Sequence, residues 1–241
     1  MAELLIVVVS LSMAITPLLF AANEALAKAA RAGGPKDDFE VPEEEENQVI
    51  IAGFGRFGQI TGRILRAKGI PFTALESSPE QVDFVKRFGN KVYYGDTSRV
   101  DLLKAAKVDK AVAFVLAIDD VEASVRTAET VAKHFPNVTV YARARDRKHA
   151  YRLMDLGVTK IRRETFLSGL DIARSVLIGL GLPEYESDKL AQTFREHDER
   201  RLFAHHYAHD DEEKMIDLAK EAAKELEELF AEDAETGSET R

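Results

Sequence analysis

A four-residue apolar run, Val49-Ile50-Ile51-Ala52, leads straight into Gly53-Phe54-Gly55-Arg56-Phe57-Gly58. A short apolar run ended by glycines reads as a buried parallel strand. Phe57 to Ala67 then has helical spacing, and a second strand, Phe72-Thr73-Ala74-Leu75, ends at Glu76. G-x-G-x-x-G by itself is a weak signal. Between a strand and a helix, with an acidic residue closing the next strand, it stands in the context that dinucleotide binding requires. Gly53 permits the tight turn, Gly55 lets backbone approach a pyrophosphate, and Gly58 allows close helix–strand packing. Arg56 and Phe57 open the helix, whose N-terminus supplies amides and partial positive charge. Glu76 is placed to accept from the adenosine ribose hydroxyls. Its charge repels a 2′-phosphate, so NAD or AMP is favoured over NADP.

The alternation continues downstream. Helices are expected at Pro79 to Phe88, Arg99 to Ala106, Val121 to His134 and His149 to Leu156. Strands are expected at Val92-Tyr93-Tyr94, Ala111 to Leu116, Val138 to Ala142 and Thr159 to Ile161. Strict β/α alternation gives an α/β fold, a doubly wound parallel sheet of Rossmann type with right-handed crossovers. Gly95-Asp96-Thr97 follows the third strand and Ile118-Asp119-Asp120 the fourth, both on the carboxyl edge where ligands of such folds sit. Asp96 is an adenine or ribose neighbour or a cap of the next helix, with Thr97 and Ser98 competing for that role.

Thirty-three Lys and Arg stand against 42 Asp and Glu, a net charge of −9, which argues against a general nucleic-acid binder. Absence of cysteine removes disulfides, thiol catalysis and thiolate metal sites. The charge is segregated along the chain. Leu4 to Ala22 is 19 residues without a charge, about 28 Å as a helix, and is expected to cross a membrane. Lys28, Arg31 and Lys36 follow it, so the positive-inside rule puts the remainder on the cytoplasmic side. The expected organisation is therefore a transmembrane helix at 1–23, an acidic linker at 24–47 and the nucleotide-binding domain at 48–166. A helical dimerisation or regulatory segment at 167–230 and a disordered tail at 231–241 complete it. Met215, Ala219, Ala222, Leu226 and Leu229 give the last helix a narrow apolar seam.

Catalysis finds little support. A hydride-transfer enzyme needs an acid/base and a substrate pocket, usually in a further domain. Only about 80 residues follow Ile161, and they are helical and charged in pattern. His205 and His209 have the i, i+4 spacing of a chelating pair, yet no H-E-x-x-H and no dictated carboxylate accompany them. They read as a solvated helix face, with no metal expected. Arg143-Ala144-Arg145-Asp146 follows the fifth strand, Arg162-Arg163 the sixth, and Arg63 lies on the first helix. Such a cluster either binds an anion bidentately or pairs with Asp and Glu within the fold or across a dimer.

The blocks VIIAGFGRFGQITGR, KVYYGDTSRVDLL, HFPNVTVYARARD and RRETF, in this order, resemble the cytoplasmic domain of Kef-type glutathione-gated potassium efflux systems. That domain belongs to the TrkA-N, or RCK-type, nucleotide-binding group. The segment ending Thr16-Pro17-Leu18-Leu19 resembles the last membrane helix of the attached potassium:proton antiporter. The resemblance implies no enzyme activity, a homodimer beneath a membrane antiporter domain, and AMP or NAD(H) in the cleft. It also implies glutathione or its S-adducts near the dimer interface, with an ancillary flavoprotein subunit in some relatives. By position, Arg63, Phe88, Asp146 and Arg163 match the glutathione contacts. Asp198 stands where the family has asparagine, and a lone carboxylate there would repel the peptide. Two other readings stay open: a membrane-anchored NAD-dependent oxidoreductase, and a stand-alone nucleotide-binding subunit gating a separate potassium transporter.

Overall fold

Short segments, apolar at the centre (VIIA and AFVL) and mixed at the edge (KIRR), form a six-stranded parallel sheet. The computed structural model describes residues 48–87, 92–209 and 211–238. The expected membrane segment, linker and Phe88 lie outside them. No helix of the described residues is long and apolar enough to cross a membrane.

The chain runs β1 (Val49–Ala52), α1 (Arg56–Ala67), β2 (Phe72–Glu76), α2 (Pro79–Lys86), β3 (Val92–Tyr94) and α3 (Val100–Ala105). It continues through β4 (Ala113–Leu116), α4 (Val121–His134), β5 (Thr139–Ala144), α5 (Arg147–Asp155) and β6 (Lys160–Arg163). The strand order is β3-β2-β1-β4-β5-β6, with every pairing parallel. The order reverses between β1 and β4, which opens a crevice at their carboxyl ends. Central strands are apolar on both faces because helices cover both: Ile50, Ile51, Leu75, Phe114 and Leu116 are fully buried.

Helix starts follow their capping residues. Ser78 accepts from the Gln81 amide with Pro79 at the first helical position, and Asp120 accepts from the Ala123 amide. Asp146 caps α5 through the His149 amide at 2.8 Å. His149 is 2% exposed, and its Nδ1 accepts from the Arg145 amide at 3.1 Å. Burial, opposed by Asp146, holds the His149 pKa below 6.5. The unfolded chain therefore binds a proton near pH 6.5 that the folded chain refuses, and stability falls as pH drops through that value. The melting temperature is expected to decline between pH 7.5 and 5. His149→Asn, which keeps an acceptor for the Arg145 amide, is expected to flatten that decline; an unchanged slope would remove His149 as its source.

Beyond the sheet come α6 (Phe166–Gly179), α7 (Glu184–Ala204), a 3₁₀ turn (His206–Ala208) and α8 (Glu212–Ser238). Helix α6 has no buried residue and exposes Leu167, Ile172 and Val176, with Leu180 exposed just past its end. Helix α8 lies along α7. Glu225 fixes it there, accepting from Arg201 Nε at 3.0 Å and meeting His197 Nε2 at 3.1 Å. Its half-buried seam is Met215, Leu218, Ala222, Leu226 and Leu229. Leu218 replaces the expected Ala219, which is exposed. The helix runs to Ser238, past the expected boundary at 230. Ala and Glu are strong helix formers, and their propensity outweighs the polar composition that suggested disorder.

Candidate nucleotide-binding site

The cleft at the β1/β4 switch point encloses about 390 Å³, within the roughly 300–1,000 Å³ of small-molecule sites. Gly53, Gly55, Arg56, Glu76, Thr97, Ile118 and Arg143 line it, together with Ser77, Ser78, Asp119 and Asp120, which the sequence reading left unassigned as ligands. Signals for the two serines existed: they follow the acidic strand end and open the next helix.

The three glycines differ in what they do. Gly53 has φ +87°, and a Cβ there would stand 2.7 Å from the Ile118 backbone nitrogen. Gly58 is tighter, its Cβ falling 2.2 Å from the Gly53 carbonyl oxygen. Gly55 meets nothing within 4 Å, because it faces the cleft where α1 begins. A fourth, Gly62, was missed. Its Cβ would press on the Phe54 ring at 2.9 Å.

Glu76 is 9% exposed and rigidly held. Its Oε2 accepts from the Phe54 amide at 2.8 Å, and its Oε1 from the Ser77 and Ser78 amides at 2.8 and 3.0 Å. A carboxylate offers about four acceptor sites. Three are taken, so one acceptor position remains for a ligand hydroxyl, where the sequence pattern suggested one for each of two.

Asp96 does not line the cleft. It is exposed, and its Oδ1 accepts from the Ser98 amide and hydroxyl at 2.9 and 2.8 Å. It does not cap α3 either, since Arg99 is the N-cap and no side chain caps that helix; Asp96 closes a local turn instead. Thr97 is buried, its hydroxyl 3.1 Å from that of Thr127. Phe57 turns away from the cleft and sits beneath the Arg143 guanidinium at 5.9 Å.

Arg143 lies within β5, not after it, and is 5% exposed. Nη1 reaches the Ala117 carbonyl at 3.3 Å, Nε reaches Glu164 at 3.0 Å, and Nη2 pairs with Glu164 and Asp119. Burial disfavours the charged guanidinium, but Glu164 and Asp119 raise its pKa above the usual arginine value. Arg143 also lowers the Asp119 carboxyl, against partial burial. Arg143 therefore ties β4, β5 and the segment after β6 together behind the cleft. Arg56, exposed at the start of α1, is the lining cation left at the mouth.

The remaining arginine positions divide. Arg163 lies in β6, stacks 4.0 Å over Phe166, and pairs with Asp198 of α7. Arg147 pairs with the other Asp198 oxygen. Asp198 is thus not the lone repelling carboxylate expected: two guanidiniums outweigh its charge. Arg63 is exposed on α1 and Asp146 caps α5; neither joins the Arg147–Asp198–Arg163 group. Asp198→Asn leaves two partly buried cations without their anion. It is expected to cost about 1–2 kcal/mol in chemical denaturation, discounted for the exposure of Arg147. No loss would mean the pairs contribute nothing net.

Fold, glycine loop and acidic strand end together define a Rossmann-type nucleotide-binding fold, and the TrkA-N domain model matches residues 49–164. The model for the potassium efflux system KefB C-terminal domain matches residues 168–241. The chain belongs to the Kef-type potassium efflux family. It is 44% identical over 194 residues to the glutathione-regulated potassium-efflux system protein KefC of Cronobacter sakazakii (strain ATCC BAA-894). That match covers 80% of this chain and 31% of the relative, so the chain spans about a third of the relative's length. Among solved structures, the Shewanella denitrificans Kef CTD in AMP-bound form is 41% identical, with a TM-score of 0.62. The match covers 67% of this chain and 98% of that one. A GsuK channel bound to NAD shares the fold at 18% identity and a TM-score of 0.51, covering 66% of this chain and 29% of that one.

Proposed function

We propose that this chain is the cytoplasmic ligand-sensing region of a Kef-like potassium:proton antiporter, with AMP or NAD(H) held in the β1/β4 cleft. The observation that carries this is the open backbone at Gly55 beside a Glu76 carboxylate with one acceptor site left. The pyrophosphate or phosphate lies over Gly55 and the α1 amides, near Arg56, and the ribose faces Glu76. The Shewanella relative, which the chain covers almost entirely, carries AMP. The arrangement offers binding, not chemistry: Arg143 is taken up by Glu164 and Asp119, and Glu76 keeps one acceptor site beyond its three backbone amides.

Regulation then works by population shift. A ligand opens or closes the pathway only through its differential affinity for the two states. Glutathione or an S-adduct is the second ligand, near Arg163, where Arg147 and Arg163 together exceed the Asp198 charge. The exposed apolar face of α6 supports a homodimer contact.

The test is a graft of residues 48–241 in place of the corresponding region of the Cronobacter protein. Potassium efflux from cells is expected to stay low with glutathione and to rise on adding an electrophile. Efflux that ignores electrophile, with the graft present in membranes, would overturn glutathione gating and leave the nucleotide site to be judged by its own titration.

A further inference from the structure

We propose a divalent transition-metal site formed by Asp155, His206 and His209. His206 opens the 3₁₀ turn between α7 and α8, His209 follows it, and Asp155 ends α5 of the sheet domain. In a 3₁₀ turn, side chains at i and i+3 eclipse. The two imidazoles accordingly stack nearly parallel, 3° apart with centroids 5.3 Å apart. Both rings present Nε2 to the same carboxylate: His206 stands 2.8 Å from Asp155 Oδ1, and His209 3.2 Å from Oδ2. The three ligand atoms lie within 4.8 Å of one another. A tetrahedral ion with bonds of about 2.0–2.1 Å holds its ligand atoms roughly 3.3 Å apart, so small adjustments close the set.

The expected i, i+4 pair is not the one assembled. His205 is buried on the other side of the turn, its Nε2 2.9 Å from Arg201. The turn tightens after α7, and this moves the chelating pair from 205 and 209 to 206 and 209. Tyr151, one helical turn before Asp155, walls the site. Its ring lies 5.5 Å from that of His209 and 6.0 Å from that of His206, and it is 3% exposed. One aromatic wall and three convergent donors hold the ligand atoms in place before an ion arrives.

The donor chemistry selects the ion. Two imidazoles and a carboxylate suit Zn²⁺, Co²⁺ or Ni²⁺ rather than Mg²⁺ or Ca²⁺, which take oxygen ligands. Three protein ligands leave a coordination position for water. None of the three residues lines the nucleotide cleft, so this site is separate from it. Its effect is a clasp joining the sheet domain to the turn that carries α8.

The experiment is Co²⁺ titration of the tag-free full chain, followed by visible absorbance, with Zn²⁺ as competitor. One equivalent of Co²⁺ is expected to give a visible band that Zn²⁺ removes. Saturating Zn²⁺ should raise the melting temperature by about 5–10 °C. His209→Ala and Asp155→Ala are expected to weaken Co²⁺ binding at least tenfold, while His134→Ala leaves it unchanged. Lack of a saturable band in the unsubstituted chain would overturn the proposal. So would a band undiminished in the His206→Ala, His209→Ala double variant.

Discussion

Replacing Gly58 with alanine is expected to lower the stability of the sheet domain by about 3 kcal/mol, near the upper end of overpacking penalties. In a chain of this size that corresponds to a fall of roughly 6–12 °C in melting temperature. The added Cβ meets the Gly53 carbonyl oxygen at 2.2 Å, and that oxygen is backbone at the end of β1. Gly53 cannot retreat, because its own amide donates to Leu75 at 2.9 Å and it abuts Ala117 and Ile118. The helix must therefore move away from the sheet, taking its N-terminal amides out of line with the cleft. Gly55→Ala is the matched control: with open space around its Cβ, it should leave the melting temperature nearly unchanged while reducing AMP affinity. Equal melting temperatures for the Gly58 and Gly55 variants would show that the close approach is not rigid.

Glu76→Ala is expected to reduce AMP affinity roughly ten- to a hundredfold. A hydrogen bond to a charged group is worth about 1.5–3 kcal/mol, and each 1.4 kcal/mol is a factor of ten. The substitution also strands the Phe54, Ser77 and Ser78 amides. The Phe54 amide is buried and, among the described residues, meets no other acceptor, so a loss of about 1–3 kcal/mol in stability accompanies the binding defect. Titration at a temperature where the variant remains folded, monitored by circular dichroism, separates the two effects. Affinity unchanged in the folded variant would remove Glu76 from the ribose site.

The parts of this fold that local pattern controls were legible in the sequence. A glycine loop between a strand and a helix, with an acidic strand end, located β1, α1 and β2, and the alternation beyond them implied the doubly wound sheet. Strand ends were less legible. Apolar runs stop at Ala142 and Ile161, yet pairing of Arg143 with Arg162 and of Ala144 with Arg163 carries β5 and β6 two residues further. That extension buries Arg143 and aims it at Asp119 and Glu164, turning an apparent anion-binding group into an internal tie. Asp198 meets Arg163 and Arg147 from 35 and 51 residues away, a contact no local spacing announces. The histidine run shows the same limit: an α-helical period aligned His205 with His209, whereas the 3₁₀ turn aligns His206 with His209 and brings Asp155 to both.

Calorimetric titration of AMP into the full chain asks whether the β1/β4 cleft binds adenine nucleotide. Saturable binding of one AMP per chain is predicted, with NADH competing and a 2′-phosphorylated dinucleotide binding far more weakly because of the Glu76 charge. A folded chain that gives no saturable heat with AMP or NADH, or that binds the 2′-phosphorylated form as tightly, would contradict it.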